Sequence, residues 1–317
     1  HVMDPIALEW GIDGKLWVVE MADYPLGIDD QGKPGGRIRY LEDTNQDGSY
    51  DKSTVFVDQI PFPTGVFPIN LDPAKPACLI SAAPLVVLAD RPGHWNELVE
   101  TAGDPPAPSP NIWLRGFGEG NQQHRFNGFS YGLDNWFYLA NGDSGGMIEN
   151  PRSGQRLNIQ GRDLRFRKTT DELRLEAQSG QTQFGRHRDD WGNWFGCSNP
   201  LPIRHYILSD HYLRRNPHFK YPPSHRDIAR ADNTQIYPRS RVLSHWSGYR
   251  PPATGQPHRF TSACSTNFYR DDLFGEGFQT LFTGLQEDLR QLIASVIMYF
   301  TFGQGCFLGG ASFYMLI

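Results

Sequence analysis

Short strands joined by glycine, aspartate and asparagine turns constrain this chain more than any other feature. "ALEWGIDGKLWVVEMADYP" (7–25) runs a short strand, a Gly-x-Asp-Gly turn and an aromatic, β-branched strand in succession. "FSYGLDNWFYLANGD" (129–143) repeats the pattern, with Gly132, Asp134 and Asn135 before Trp136-Phe137-Tyr138-Leu139. "QFGRHRDDWGNWFGCSN" (183–199) is a looser third copy, with Asp190, Gly192 and the strand Trp194-Phe195. Glycine and asparagine tolerate the positive φ of a tight hairpin, and the apolar residues beside them pack one sheet on the next. The second and third copies stand 53 residues apart, which suits one four-stranded propeller blade. The first and second stand 121 apart, leaving room for one more copy between them.

The length, 317 residues, allows two domains or one large all-β domain with a sizeable core. Thirty-three glycines, 24 prolines and 13% aromatics favour many short strands over long helices. The expectation is an all-β fold, a β-propeller over residues 1–278. The net charge of −5 points to neither nucleic acid nor an anionic membrane as partner. Cys78, Cys197, Cys264 and Cys306 form neither C-x-x-C nor C-x-x-C-H, so no zinc knuckle or attached c-type haem is encoded here. Cys197 and Cys264 can pair as a disulfide if the protein is exported. The chain begins at His1, so a signal peptide would lie upstream of it.

Three segments depart from the repeat. Residues 69–115 turn Pro- and Ala-rich and lose the strand–turn pattern, so the extra copy is not visible. Residues 198–258 form a Pro-, His- and Arg-rich insert, and seven of the ten histidines lie between His187 and His258. The insert reads as an irregular excursion over one face. A metal or haem site, or a docking surface for an acidic partner such as a cytochrome, is the alternative. The apolar tail, 279–317, carries no charge after Arg290. It reads as a truncation or a shifted frame, or else as a membrane span.

"EDTNQDGSYDKSTVFVD" (42–58) holds Asp43, Asn45, Asp47, Gly48, Ser49 and Asp51 in a calcium-type pattern. Alternate side-chain oxygens around a glycine can wrap a hard cation, although Thr54 stands where an EF-hand has its last acid. The plainer reading is an Asp/Asn-rich turn that satisfies its own backbone.

The run from Trp10 to Pro68, then "GFGEGNQQHRFNGFSYGLDNWFYLANGDSGG" (116–146), "DWGNWFGCSNP" and "FTSACSTNFYRDDLFG" resemble one known family. It is the N-terminal propeller of the membrane-bound dehydrogenases of planctomycete-type bacteria (PVC-type haem-binding proteins). That family is similar to the soluble quinoprotein glucose and sorbosone dehydrogenases, six-bladed propellers holding pyrroloquinoline quinone (PQQ) and calcium. The resemblance implies a six-bladed type, incomplete or disrupted in this chain, with shifted frames around 69–78, 85–115 and 279–317. It also implies a periplasmic or extracytoplasmic location, possible membrane association and a cytochrome c domain or protein as partner.

The spacing His124, Gly132, Gly142-Asp143 matches the sugar dehydrogenases without a gap. The resemblance therefore implies that His124 is the general base for a sugar or alcohol, with hydride passing to the quinone. Gln123, Arg125, Asp143, Arg186 and Arg188 are the implied cofactor neighbours. Two departures stand out: Gln123 replaces an acid, and Gln181-Thr182 occupy the place of an Arg-Asn pair. A loop histidine held by a hydrogen bond is the plain alternative for His124. Three functions stay open: a calcium-dependent quinoprotein-like dehydrogenase, a non-catalytic propeller binding carbohydrate or protein, and an inactive remnant.

Overall fold

The computed structural model describes residues 2–72, 75–101, 107–198, 200–216, 218, 220–228, 235–236, 258–259, 265–268, 293–298 and 311–316. Among the described residues the protein is all-β, many short strands with only two short helices and one 3-10 turn. It divides into two units, His1–Gln181 and Thr182–Ile317.

In the first unit, β1 (Pro5–Trp10), β2 (Leu16–Glu20), β3 (Gly36–Glu42) and β4 (Lys52–Ile60) form an antiparallel meander. Next come β5 (Gly65–Asp72), β6 (Lys75–Ala82), β7 (Leu85–Ala89), β8 (Gly93–His94), α1 (Trp95–Val99) and β9 (Ile112–Phe117). Strand β8 adds to the first sheet beside β4, the one parallel pairing among the described strands. The third group is β10 (Asn127–Tyr131), β11 (Phe137–Ala140), β12 (Gly146–Glu149), β13 (Arg156–Asn158), β14 (Asp163–Lys168) and β15 (Leu173–Gln178). Its sheet order is β10-β11-β14-β15, while β12 and β13 extend the second sheet to β13-β12-β9-β7-β6-β5. Strand β5 lies beside both β1 and β10.

Residues 69–115 are not irregular over their described part: they supply the end of β5 and all of β6 to β9. The reason is legible in the packing. Cys78, Ile80, Ala82, Val87 and Ala89 face Trp17, Phe56 and Val57 of the first sheet. Leu79, Val86 and Leu114 face Phe126, Leu139 and Phe166 on the other side. A sheet buried on both faces reads as a continuous apolar run, not as alternation. Each such aliphatic side chain contributes about 1.5–3 kcal/mol on burial. The missing copy is the β5–β6 hairpin, paired from Gly65↔Ser81 to Asp72↔Lys75. The ground for inferring a shifted frame at 69–78 and 85–115, loss of strand pattern, falls away with it.

The hairpin turns repeat in atomic detail. Gly11 N–H donates to Lys15 O (2.9 Å), Gly132 N–H to Trp136 O (2.9 Å) and Asp189 N–H to Asn193 O (3.0 Å). The fourth residue of each turn, Gly14, Asn135 or Gly192, has φ of 78°, 62° or 86°. The third turn thus starts at Asp189, 57 residues after Gly132, and not at the 53-residue offset that matching glycines suggests. An Asn135→Gly variant should unfold within about 0.5 kcal/mol of wild type, whereas Asn135→Val should cost about 1–2 kcal/mol. Urea titration checks this, and equal midpoints for the two variants would sink it.

In the second unit, β16 (His187–Arg188), β17 (Trp194–Ser198), β18 (Leu201–Tyr206) and β19 (His225–Asp227) form another antiparallel meander, with α2 (Asp210–Leu213) after β18. Its core gathers Phe195, Ile203 and Phe268. Part of the basic insert is therefore sheet, which corrects its reading as an irregular excursion. The apolar side chains of β18 sit among charged neighbours, which masked the strand. His205 stacks on Phe195 at 4.7 Å, and His225 meets the Tyr206 ring edge-on at 6.4 Å. Burial pushes the pKa of both imidazoles down. Two-stranded pairs follow: β20 (Gln235–Ile236) with β21 (His258–Arg259), and β22 (Ile293–Met298) with β23 (Ala311–Leu316). The described part of the apolar tail is thus an antiparallel pair. Among the described residues, no helix is long and apolar enough to cross a membrane. Cys264 lies outside the described residues, and the Cys197 thiol contacts Phe184 O at 3.3 Å.

Candidate functional site

The local sequence dictates where His124 stands. Asn121 takes the Gln123 N–H on its side-chain oxygen (3.0 Å) and the His124 N–H on its carbonyl (2.8 Å). This closes one 3-10 turn, Gln122–His124, before β10 begins. Opposite it, "NGDSGG" (141–146) folds into a tight clamp. Gly142 and Asp143 both adopt positive φ, 73° and 82°. Ser144 then grips the His124 carbonyl with its N–H (3.1 Å) and its Oγ (2.6 Å). Asn141, buried, anchors the clamp through the Gly145 N–H and the carbonyls of Ile159 and Arg162.

The clamp presents Asp143 to the imidazole: His124 Nδ1 lies 3.2 Å from Asp143 Oδ2. Gln181 Nε2 donates to the other oxygen, Asp143 Oδ1. An ionised carboxylate only accepts, so a neutral ring in this contact carries its proton on Nδ1 and leaves the Nε2 lone pair bare. The His124 side chain is 35% exposed. A base oriented by a carboxylate, itself oriented by an amide, is the arrangement proton abstraction needs. Asp143 is thus a partner of His124. Gln123 turns away and donates to Tyr24 Oη at 2.6 Å, and Gln122 donates to Pro25 O at 3.1 Å. Tyr24 and Ser144 were not anticipated from the sequence, although Tyr24 lies at the end of the first repeat.

The arginines stand elsewhere. Arg125 is 7% exposed, donates through Nη2 to Glu119 O (3.0 Å) and lies 5.0 Å over the Phe62 ring. Burial lowers its pKa, opposed by the carboxylates of Glu119 and Asp23. In the second unit Arg186 is 2% exposed, with its guanidinium 4.1 Å over the Tyr206 ring and 5.6 Å over Trp194. Arg188 Nη1 donates to Asp189 O at 3.4 Å. PQQ carries three carboxylates. Arg125 and Arg186 are both buried, whereas a tricarboxylate of this kind calls for cations that face it.

The oxygen-rich loop turns its acceptors onto its own backbone. Asp43 accepts from the N–H of Asp47 (3.2 Å) and Gly48 (2.8 Å), and Asp47 accepts from Ser49 N–H (2.8 Å). The Asn45 amide donates to Asp47 at 3.0 Å. Asp51 caps Thr44 through its N–H (3.0 Å) and Oγ1 (2.7 Å), bonds that hold the Asp51 carboxyl below its usual range. Among the described residues, no group of three or more His, Cys, Asp or Glu side chains is gathered to hold a metal ion. Asp43→Ala should cost about 1 kcal/mol of stability, equally in excess calcium and in EDTA. If calcium raises the wild-type midpoint and leaves the variant unmoved, the loop takes a cation instead.

One family matches residues 1–297, described as Domain of unknown function (DUF7133). The chain belongs to that family. Its match encloses the His124 turn, the clamp, the oxygen-rich loop and segment 69–115. No curated protein matches the chain. A solved structure, a protein of unknown function from Bacteroides thetaiotaomicron, is similar at 9% identity and a TM-score of 0.29, over 64% of this chain. The chain spans 55% of that protein's length.

Proposed function

We propose that this family member is a β-propeller protein of the quinoprotein-like dehydrogenase kind. In this reading it draws a proton from a sugar or alcohol hydroxyl at His124. The observation that carries the reading is the chain Gln181–Asp143–His124, which holds one partly exposed imidazole through its Nδ1. The propeller part rests on the meanders. Three of them begin with a hairpin of one turn type, and β5 stands beside both β1 and β10 in the first unit.

Chemically, Nε2 accepts the hydroxyl proton as the C–H hydride departs, and Asp143 stabilises the imidazolium that forms. The residues supply the proton step; the hydride passes to a separate two-electron oxidant of the quinone class, which then hands its electrons one at a time to a cytochrome in an extracytoplasmic setting. A second reading, a non-catalytic propeller that binds carbohydrate, is favoured by the burial of Arg125 and Arg186.

The test is a panel of sugars and alcohols with a redox dye, with and without PQQ and calcium, alongside calorimetry of the same compounds. Turnover abolished in His124→Ala supports the dehydrogenase. Binding without turnover supports the second reading, and neither would overturn both.

A further inference from the structure

A serine–histidine contact in the second unit plays no part in the proton step at His124. Ser265 Oγ lies 2.9 Å from His187 Nε2, across 78 residues of sequence. The packing explains how they meet. His187 opens β16 and stands opposite Phe195 of β17. Phe195 in turn packs on Phe268, with ring centroids 5.1 Å apart. That contact pins the segment 265–268 to the β16–β17 hairpin. Along the segment Thr266 and Phe268 are buried, Ser265 is half-buried and Asn267 is exposed. The anchoring side chains point inward, and Ser265 between them is left to the imidazole.

Two backbone features set the contact apart from a plain loop tie. Ser265 holds a φ of 59°, in the left-handed region that a serine enters at a cost in free energy. One hydrogen bond between neutral groups returns about as much as that conformation takes, so the bond does not by itself account for the strain. Strained residues of this kind cluster where side chains react or clamp a ligand. Gly185, with a φ of 58°, stands against the same two atoms. A Cβ there would lie 2.7 Å from Ser265 Oγ and 2.9 Å from His187 Nε2. Any side chain at 185 would press on both, so a glycine keeps the approach to them clear.

A hydroxyl is a weak nucleophile until a base takes its proton as it attacks. The Oγ–Nε2 distance suits that transfer, with a neutral ring carrying its own proton on Nδ1. We propose that Ser265 is a nucleophile, with His187 as its general base, acting on small carboxylic esters. The half-buried hydroxyl behind a glycine suits a short acyl group. Oγ bonds to the ester carbonyl carbon while its proton passes to Nε2. The carbon–oxygen bond to the alcohol then breaks, and the alcohol leaves with that proton. Water, deprotonated by the same nitrogen, cleaves the acyl-serine and yields the carboxylic acid and free Ser265. No oxidant enters, so this chemistry is separate from the dehydrogenase reading.

The test uses the whole chain and two probes, a fluorophosphonate and p-nitrophenyl acetate. Wild type should gain one phosphonyl group, on the peptide that carries Ser265, and should release p-nitrophenolate. His187→Ala should slow both reactions by about 10²-fold or more, the usual contribution of a general base. Ser265→Gly guards against loss of folding, because glycine adopts the left-handed φ freely. Its thermal midpoint should stay close to that of wild type while both reactions vanish. A folded wild type that is not labelled at Ser265, or is labelled there as fast in His187→Ala, would overturn the nucleophile. A labelled Ser265 that releases no p-nitrophenolate would overturn the ester as its substrate.

Discussion

Replacing His124 with alanine is expected to lower substrate oxidation by about 10²–10⁴-fold, the usual contribution of a positioned general base. The fold should survive. The side chain is 35% exposed, and the turn is held by Asn121 and by the grip of Ser144 on the His124 carbonyl, none of which needs the imidazole. The thermal midpoint should therefore stay within about 2 °C of wild type. Steady-state dye reduction and a thermal melt on the same preparation check both halves. Full activity in the variant would remove His124 from the reaction.

Replacing Gly142 with alanine is expected to have the opposite profile, a large loss of fold. A Cβ there would sit 2.0 Å from the Arg125 carbonyl oxygen and 2.8 Å from that of His124, at a φ of 73°. The left-handed conformation costs roughly 1–2 kcal/mol, and the clash with two backbone oxygens adds at least as much, about 3 kcal/mol or more in sum. Gly154 provides a matched control. Its φ is 72° and nothing lies within 4 Å of its Cβ position, so Gly154→Ala should cost only the conformational part. Chemical denaturation of both variants separates strain from clash. Equal losses would mean that the clamp is not as tight as its geometry.

The turn-and-strand repeat was legible because its turns need positive φ and its outer strands alternate. Gly14, Asn135 and Gly192 announce themselves by residue type. The β5–β6 hairpin did not, since Leu79, Ile80, Val86 and Val87 are buried on both faces and show no period. Between its two strands the sequence reads Pro73-Ala74, with no glycine. The third repeat was found but shifted, because Gly185 is the equivalent of Gly128, not of Gly132; the former two share positive φ of 58° and 62°.

At the site, the spacing of His124 and Asp143 was readable, but their contact was not. That contact depends on Gly142 and Asp143 both turning left-handed, which brings residue 143 back onto residue 124. The burial of Arg125 was hidden for a related reason. Its contacts, Glu119 and Phe62, come from two separate loops, and no short motif links them.

Nitrogen-resolved NMR of the His124 ring tests the central claim most directly, since it needs no substrate. With Asp143 accepting from Nδ1, the wild-type ring should be the Nδ1–H tautomer with Nε2 bare, and Asp143→Ala should abolish that preference. An Nε2–H tautomer in the wild type, or a ring spectrum that Asp143→Ala leaves unchanged, would contradict it.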